Sequence, residues 1–287
     1  MSGVTTFDCP SPVLPACPWA TKPLLALAVL IGAAAWYGSD RQPVDATEPI
    51  MLRGETPSQA GDDRFRIGTF NIHGGRGPDC PTDLEATAAV LRGDDLDLVG
   101  LYEVYGSFTT DQAGDLGDRL GMASVFAGTE RRWWHDHFGN GLLIGRRVRE
   151  VVRITLPGTQ GKRFRNALLT TFDAGGTTVR VIATHIDTET DRERQLAVVF
   201  ELFRSLESPA VLMGDLNCET DHPLLADLLD EPGVVDAVAA KVDLSSNEDR
   251  IDHLLVRGLD VLDAGYVKTD ASDHPYVWAD LAVAEKP

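Results

Sequence analysis

The chain of 287 residues has few basic side chains for its length, and this shortage limits its possible partners. Its 26 Lys and Arg stand against 44 Asp and Glu, which gives a formal net charge of −18. This balance argues against a broad basic surface that grips nucleic acid by releasing counterions. It does not exclude a nuclease, because a bound divalent cation reverses the local potential where a phosphate sits.

Cysteine is also scarce, and the spacing of the four cysteines excludes two further classes of protein. No two of them are spaced as Cys-x-x-Cys, so neither a zinc ribbon nor a thioredoxin-like redox motif is present. Cys80 and Cys218 each follow a polar motif and could approach one another. Free thiols and a disulfide are both open for this pair, and export of the domain favours the disulfide.

One uncharged, Ala/Leu-rich run, residues 23–37, lies near the N-terminus and follows Lys22. It is shorter than the ~20 residues that span a bilayer. It resembles the apolar region of a signal sequence, with residues 33–35, all alanine, as a weak cleavage site. We predict a signal sequence or membrane anchor over residues 1–38. The lysine before the run favours an exported protein that is membrane-anchored, periplasmic or secreted.

The rest of the chain divides into a linker and one folded domain. Residues 39–63 are rich in Pro, Gly and polar side chains without an apolar period, which predicts a flexible linker. Residues 64–287 alternate strands and helices, and we predict strands over 65–72, 96–102, 141–145, 148–156, 167–172, 178–184, 210–213, 251–256, 259–267 and 276–283. Many strands with a few helices predict an α/β protein in which two sheets pack together with the helices outside.

Two of the helices are predicted from capping boxes. Thr82 with Glu85 opens a helix over residues 83–92, and Thr190 with Glu193 opens one over residues 191–206. Shorter helices are expected over residues 112–120 and 224–229.

Six short polar motifs interrupt apolar runs of the domain, at 69–73, 101–103, 183–187, 213–217, 250–253 and 272–275. Carboxylates, amides and imidazoles that stand at strand ends in distant parts of a chain are typical of a metal-assisted hydrolase. Hard cations such as Mg²⁺ prefer carboxylate and amide oxygens. Asn71, Glu103 and Asp273 supply ligands of this type. The alternative for any one of them is a strand-end side chain that caps a turn.

Two histidines are candidates for proton transfer and phosphate contact. His274 stands beside polar residues, and Asp252, in an otherwise apolar strand, is its natural orienting carboxylate. Water activated by this pair could attack a phosphorus atom while His185 neutralises charge on its oxygens. The alternative for His185 is a buried structural histidine. A structural role is preferred for the remaining histidines, His73, His135, His137, His222 and His253.

The order and spacing of these motifs resemble the endonuclease/exonuclease/phosphatase superfamily, a metal-dependent group that includes deoxyribonuclease I and neutral sphingomyelinases. The resemblance covers about residues 64–283. It implies a four-layer α/β/β/α sandwich of two packed mixed β-sheets flanked by helices, with the active site at one edge of the sheets. It also implies that Asn71 and Glu103 bind Mg²⁺ or Mn²⁺ and that Asp273 sits beside the metal.

The resemblance implies roles for the other motif residues as well. Asp215 and Asn217, of the Gly-Asp-Leu-Asn motif, hold the phosphate and the attacking water. Asp252 and His274 form the acid–base dyad, and His185 contacts the phosphate.

Three features depart from the family pattern or stand outside it. Tyr102 occupies a place where relatives often carry Gln before the metal-binding Glu. Arg165 resembles an arginine near the phosphate, and a solvated strand-edge arginine is the alternative. Trp133 and Trp134, between basic residues, could stack on a base, a sugar or a lipid interface. The preferred alternative is that one tryptophan belongs to the core and the other covers a loop.

The resulting expectation is a divalent-metal-dependent hydrolase of phosphate esters, a phosphodiesterase or nuclease that acts outside the cytoplasm. Nucleic acid is the favoured substrate. The alternatives are a sphingomyelinase-like hydrolase of phospholipids or inositol phosphates, one of small phosphorylated metabolites, and a non-catalytic binding module on the same fold. A membrane tether through the N-terminal apolar segment is a further expectation. The sequence gives no oligomeric state.

Overall fold

A computed structural model describes residues 18–39, 42–44, 49–56, 62–78, 81–93, 95–107, 109–131, 137–159, 162–243 and 250–284. The chain divides into two compact units, Met1–Asp40 and Arg41–Pro287. In the first unit the described residues form one helix, α1 (Pro18–Ser39). Among the described residues, no helix has both the length and the apolar character needed to cross a bilayer. The export prediction is not tested by the fold and stays a prediction.

The second unit contains fourteen strands and four helices in its described part. The strands are β1 (Gln42–Pro43), β2 (Arg64–Asn71), β3 (Leu98–Gly106), β4 (Ala123–Gly128), β5 (Glu130–Arg131), β6 (His137–Ile144), β7 (Val148–Thr155), β8 (Asn166–Ala174), β9 (Thr177–His185), β10 (Ala210–Asp215), β11 (Val234–Asp236), β12 (Asp252–Arg257), β13 (Leu259–Val267) and β14 (Tyr276–Val283). The helices are α2 (Leu84–Leu91), α3 (Gln112–Leu120), α4 (Arg192–Ser205) and α5 (Pro223–Leu229).

Two six-stranded sheets carry the fold, in the orders β11-β12-β10-β9-β8-β7 and β13-β14-β2-β3-β6-β4. Each sheet is mixed, because β9 with β10 and β2 with β3 are parallel whereas the other pairs in the two sheets are antiparallel. The predicted sandwich of two packed mixed sheets is confirmed.

The central core lies between the sheets. Ile67 and Leu98 from one sheet belong to the same buried cluster as Val181, Val211 and Met213 from the other. A second cluster lies under α4 and α5, and a third lies under α2 and α3. The helices therefore cover the outer faces and complete the four layers.

The apolar stripe predicted for α4 explains how that helix binds its sheet. Leu196, Val199, Phe200 and Phe203 are all fully or almost fully buried in the second cluster. Each such side chain contributes about 1.5–3 kcal/mol relative to an exposed one.

Tyr102 crosses the interface between the two sheets. Its hydroxyl donates to the carbonyl of Met213 in β10 at 3.2 Å and accepts from Oγ1 of Thr69 in β2 at 3.1 Å. Burial raises the pKa of this phenol well above its usual range, so it stays a neutral donor. The departure from the family pattern at this position thus places a buried polar link between the sheets, close to their shared edge.

Strand register brings the motif residues to that edge. His185 at the end of β9 lies opposite Asp215 at the end of β10, and Asp215 lies opposite Asp252 at the start of β12. In the other sheet Asn71, at the end of β2, lies opposite Tyr102 in β3. Since the ends of parallel strands lie at one edge, distant motifs meet there.

Part of the segment predicted as a flexible linker is bound to the domain. Gln42–Pro43 pairs with β5, and the backbone N–H of Ile50 donates to the carbonyl of Val151 at 2.8 Å. Arg53 and Ser124 exchange two backbone hydrogen bonds of 2.8 Å. Ile50 also packs against the central core, which explains why this polar segment follows the surface.

Both predicted helix starts were wrong by one residue. Asp83, rather than Thr82, is the N-cap of α2, because its Oδ1 accepts from the N–H groups of Glu85 and Ala86 at 3.0 and 3.1 Å. Asp191 holds the N-cap position of α4, but its carboxylate accepts from Thr159 instead of capping the helix.

We expect Gly214→Ala to destabilise the domain and disrupt the catalytic edge together. A methyl group at this position would overlap the backbone carbonyl oxygen of Thr184 in the neighbouring strand β9. To remove this overlap, β9 and β10 must separate at the residues next to His185 and Asp215. We expect the free energy of unfolding to fall by about 3 kcal/mol or more. Urea unfolding measures it. Gly128→Ala, in the edge strand β4, is the control, because a methyl group there meets its neighbours only at ordinary van der Waals distance and creates no overlap. Equal losses in the two variants would contradict the packing argument.

Candidate active site

The buried carboxylate of Asp215 lies at the centre of the motif residues. Its Oδ2 accepts a hydrogen bond of 2.9 Å from Nδ2 of Asn71 and lies 3.3 Å from Nε2 of His185. The same oxygen lies 3.8 Å from Nε2 of His274. Its Oδ1 accepts a bond of 3.1 Å from the backbone N–H of Asn217. Residues far apart in the sequence therefore meet at one carboxylate.

Arg165 fixes the tautomer of His185. Nη1 of Arg165 lies 3.3 Å from Nδ1 of His185, and a guanidinium only donates, so Nδ1 accepts. The proton of the neutral ring is then on Nε2, which faces Asp215. Burial, followed by the charges of Arg165, His274 and Arg163, holds the pKa of His185 well below its usual range. His185 is therefore a neutral donor directed at the centre of the site.

Asp252 and His274 form the hydrogen-bonded pair that the sequence predicts. Nδ1 of His274 lies 2.8 Å from Oδ2 of Asp252, so Nδ1 carries a proton. In the neutral ring Nε2 is then an acceptor, and it lies 3.4 Å from Nδ2 of Asn71. This is the geometry of a general base with an orienting carboxylate.

The charges of the site shift two pKa values toward neutrality or above. Burial, followed by the charge of Asp252, raises the pKa of Asp215 to about 7. Burial lowers the pKa of His274, but the hydrogen bond and charge of Asp252 and the charges of Asp215 and Asp273 outweigh it and raise that pKa to about 9. Shifts of this kind are typical of catalytic groups, although structural ion pairs also produce them.

Glu103 is placed by an irregularity of its strand. The pairing of β3 with β6 shifts register between Leu101 and Val104, and Glu103 has a left-handed backbone with φ of 54°. A bulge re-aims a side chain away from the alternation of the strand, and bulges are frequent beside active sites. Because a left-handed non-glycine residue costs about 1–3 kcal/mol, the surrounding fold must impose this conformation.

Two further residues with left-handed backbones flank the site. His73 and Asn217 both have φ of 48°, and with Glu103 they are the non-glycine residues of positive φ in the described part of the chain. Nδ2 of Asn217 donates to the carbonyl of Ile186 at 2.9 Å, which fixes the loop after β10. His73 lies beside Asp273, with 3.3 Å between Nδ1 and Oδ1, a carboxylate neighbour that the sequence motifs did not mark.

The predicted residues fall into a buried centre and an exposed rim. The centre contains Asn71, His185, Asp215, Asp252 and His274, which contact one another. Asp273 lies on the rim with a side chain that is 47% exposed, and Ser272 ties this loop to β2 by donating to the carbonyl of Asn71 at 2.6 Å. Glu103 is half-buried.

Arg165 is a buried residue of the site and not a solvated strand-edge arginine. Its side chain is 8% exposed, and Nη2 lies 4.0 Å from Oδ1 of Asp187. Its guanidinium carbon also lies 5.2 Å from the ring centroid of Phe138. Phe138 and Asp187 were not among the predicted site residues. Asp187 stood in a motif, whereas no sequence signal marked Phe138.

A second buried polar network is structural. Arg250 donates to Oδ1 of Asp236 at 2.9 Å and also binds its Oδ2, and Oδ1 caps the N–H groups of Val238 and Ala239. His253 lies beside the same carboxylate and bonds the carbonyl of Cys218 at 2.9 Å. The structural role predicted for His253 fits these contacts, although it does have a carboxylate neighbour.

Some sequence predictions lie outside the described residues. Trp133, Trp134, His135 and Cys80 are among them, so the tryptophan loop and the proposed cysteine pair have no structural description. Cys218 is a buried free thiol, and burial raises its pKa to about 12.

The donor set at this edge fits a divalent cation. One oxygen each from Asp215 and Asp252 and one nitrogen of His274 lie within 4.8 Å of one another. Oδ1 of Asp252 is buried and accepts no hydrogen bond among the described residues, which leaves an oxygen ligand unused. Carboxylate oxygens are the ligands that Mg²⁺ and Mn²⁺ prefer. This group adjoins the predicted ligands but is not the same set, which was Asn71, Glu103 and Asp273.

This chain belongs to the endonuclease/exonuclease/phosphatase family, whose sequence profile matches residues 68–274. That range includes every residue of the site from Asn71 to His274. Members of this superfamily are hydrolases of phosphate esters. No curated protein sequence matches the chain.

Solved structures of the same family have the same fold. An endonuclease/exonuclease/phosphatase from Beutenbergia cavernae is 26% identical, with a TM-score of 0.66 over 78% of this chain and 72% of that chain. The human nocturnin catalytic domain is 17% identical, with a TM-score of 0.60 over 82% of this chain and 98% of that one. A mannosyl-6-phosphatase from Bacteroides thetaiotaomicron is 18% identical, with a TM-score of 0.56 over 76% and 99%.

We expect the metal-free protein to lose stability as the pH rises from about 6.5 to about 9. Because the folded pKa of His274 is raised to about 9 from 6.5, its stabilising charge is fully present below 6.5 and is lost as pH rises through 9. The free energy of unfolding in EDTA should fall by up to about 3 kcal/mol, at about 1.4 kcal/mol per pKa unit. His274→Gln should flatten this slope. If the free energy of unfolding of that variant fell with pH as steeply as that of the wild type, His274 would not be the group responsible.

Proposed function

We propose that this protein is a divalent-metal-dependent hydrolase of phosphate esters that acts as a phosphodiesterase. The observation that carries the proposal is the contact of Asp215 with Asn71, His185 and His274, while His274 is held by Asp252 at 2.8 Å. A carboxylate, two imidazoles and an amide at one edge provide a base, hydrogen-bond donors and oxygen ligands together.

The side chains divide the chemistry between them. A cation that offsets the charges of Asp215 and Asp273 would lower the pKa of His274 and favour its neutral form. Nε2 of the neutral ring then takes a proton from the attacking water, and Asp252 stabilises the imidazolium that forms. The guanidinium of Arg165 stabilises the charge that develops on the phosphoryl oxygens, and Nε2–H of His185 does so by turning from Asp215 to the substrate. Asp215 orients the amide of Asn71 through the hydrogen bond described above, and we assign it the orientation of the attacking water as well.

A divalent cation would be held by Glu103 and Asn71, with Asp273 beside it. When bound, it supplies Lewis-acid stabilisation of a phosphoryl oxygen. The left-handed backbone that re-aims Glu103 supports its assignment as a ligand, because a strained residue persists where the fold imposes it.

Nucleic acid is the leading substrate in this proposal, and export of the enzyme is part of it. Burial of Arg165 beside His185 supplies a local cation within an acidic chain, which supports transient binding of a polyanion. The solved structures named above include a phosphatase as well as nocturnin. A phosphomonoester is therefore the second candidate substrate. Cell fractionation tests export, and intact chain found only in the cytosol would overturn that part.

We expect hydrolysis of bis(p-nitrophenyl) phosphate with Mg²⁺ or Mn²⁺ and none with EDTA. Glu103→Ala and His274→Ala should each lower kcat by about 100-fold or more, because one removes a ligand and the other the base. His222→Ala, whose imidazole bonds Glu193 on the surface, is the control for loss of a histidine and should keep full activity. Equal inertness of the wild type and all variants would favour a non-catalytic binding module.

Metal titration separates the two candidate ligand sets. Calorimetry with Mn²⁺ should show at least about tenfold weaker binding in Glu103→Gln, since the neutral amide oxygen attracts the cation less strongly than the carboxylate. Glu207→Gln, which alters an exposed ion pair with Arg180, is the matched control. Unchanged affinity in Glu103→Gln, with loss in Asp252→Asn, would move the cation to the group of Asp215, Asp252 and His274.

A substrate panel decides among the phosphate esters. We expect supercoiled DNA or RNA to be cleaved faster than sphingomyelin or inositol phosphates at equal concentration. Release of inorganic phosphate from a monoester as the dominant reaction would instead favour the phosphatase alternative.

A further inference from the structure

An arginine that the proposed chemistry does not use lies beside the site. Arg163 is exposed, and its guanidinium carbon lies 4.6 Å from the ring centroid of Phe138. The same ring receives Arg165 at 5.2 Å and lies 6.2 Å from the ring of His185. Two guanidinium groups therefore share one aromatic side chain next to the predicted phosphate contacts.

Arg163 differs from many other arginines of this acidic protein because no carboxylate holds it. Arg66 pairs with Asp280, and Arg250 pairs with Asp236. Within the described part of the chain, no ion pair or side-chain hydrogen bond of Arg163 is seen. Its guanidinium is held by the stacking contact with Phe138. An arginine on an aromatic face keeps its N–H groups available for an anion.

The two residues that follow Arg163 are fixed by hydrogen bonds. The N–H of Phe164 donates to Oε1 of the buried Glu130 at 3.2 Å, and Arg165 bonds His185. Phe138 in turn makes an edge contact with Tyr105, with 5.6 Å between ring centroids. The guanidinium is thus presented from an ordered platform, which reduces the entropy lost when it binds a ligand.

We propose that Arg163, stacked on Phe138, forms a second anion subsite, so that the preferred substrate carries a second phosphate next to the one that is cleaved. This inference rests on the proposed function and narrows its substrate class. The charge of Arg163 acts on both Arg165 and His185, which places it within electrostatic range of the phosphate contacts. A zwitterionic head group offers no second phosphate to this arginine, whereas a nucleic-acid strand does.

The test compares substrates that differ by one phosphate. Thymidylyl-thymidine is assayed without a terminal phosphate, with a 5′-phosphate and with a 3′-phosphate. Glycerophosphoinositol with and without a ring phosphate forms a second matched set, which distinguishes a nucleotide from a lipid-derived source of the second phosphate. We expect the wild type to prefer the substrate with the added phosphate by about tenfold in kcat/KM, through a lower KM, in at least one set.

Arg163→Ala should reduce that preference to near one, and Arg163→Lys should retain part of it because the charge remains without the planar stack. Arg149→Ala is the matched control. This exposed arginine lies near the other end of β7 from the site, bonded to Thr178, and its loss should leave the preference intact. The preference should also weaken as salt rises.

The outcomes separate this inference from the function on which it rests. Hydrolysis by the wild type without any preference, or equal losses for all substrates in Arg163→Ala, would overturn the second subsite and leave the proposed function standing. Failure of the wild type to hydrolyse any substrate, including bis(p-nitrophenyl) phosphate, would overturn both.

Discussion

The carboxylate of Asp215 must be buried between two imidazoles and an amide, and the arrangement of the catalytic edge depends on this requirement. Moving a carboxylate from water into the protein interior without hydrogen-bond partners costs on the order of several kcal/mol. Asn71, the backbone of Asn217 and His185 supply partners from three separate segments. The two sheets can therefore close only in a register that brings β2, β9 and β10 to a common end.

The charged groups at the catalytic edge differ from those of the rest of the chain. Acidic residues dominate the chain, yet arginine and neutral histidine are concentrated where a phosphate would bind. Burial, followed by the charge of Asp252, raises the pKa of Asp215. Against the effect of burial, the hydrogen bond and charge of Asp252 raise the pKa of His274. The shift of His274 indicates a site with excess negative charge, and a cation would offset that excess. An acidic protein can therefore bind a phosphate ester at this edge.

The sequence predicted the paired sheets and the residues that meet at the edge, because hydrophobic period and strand-end polarity are local signals. It did not predict strand β4, which pairs with the nearby strand β6. It also did not predict the docking of residues 49–56, since their partners Ser124 and Val152 are distant in the chain. The cap of α2 differs from the prediction because the carboxylate of Asp83 accepts from the N–H groups of Glu85 and Ala86. Phe138 and Arg163 escaped notice because a stack depends on tertiary placement.

The central claim is that these side chains surround one cation-holding cleft. Anomalous diffraction from crystals soaked in Mn²⁺ with a phosphorothioate diester tests it most directly. The account predicts a strong peak bounded by Asn71 and Glu103, with the phosphorothioate between it and His274. A peak elsewhere on the domain, or diester bound away from His185 and His274, would contradict the account.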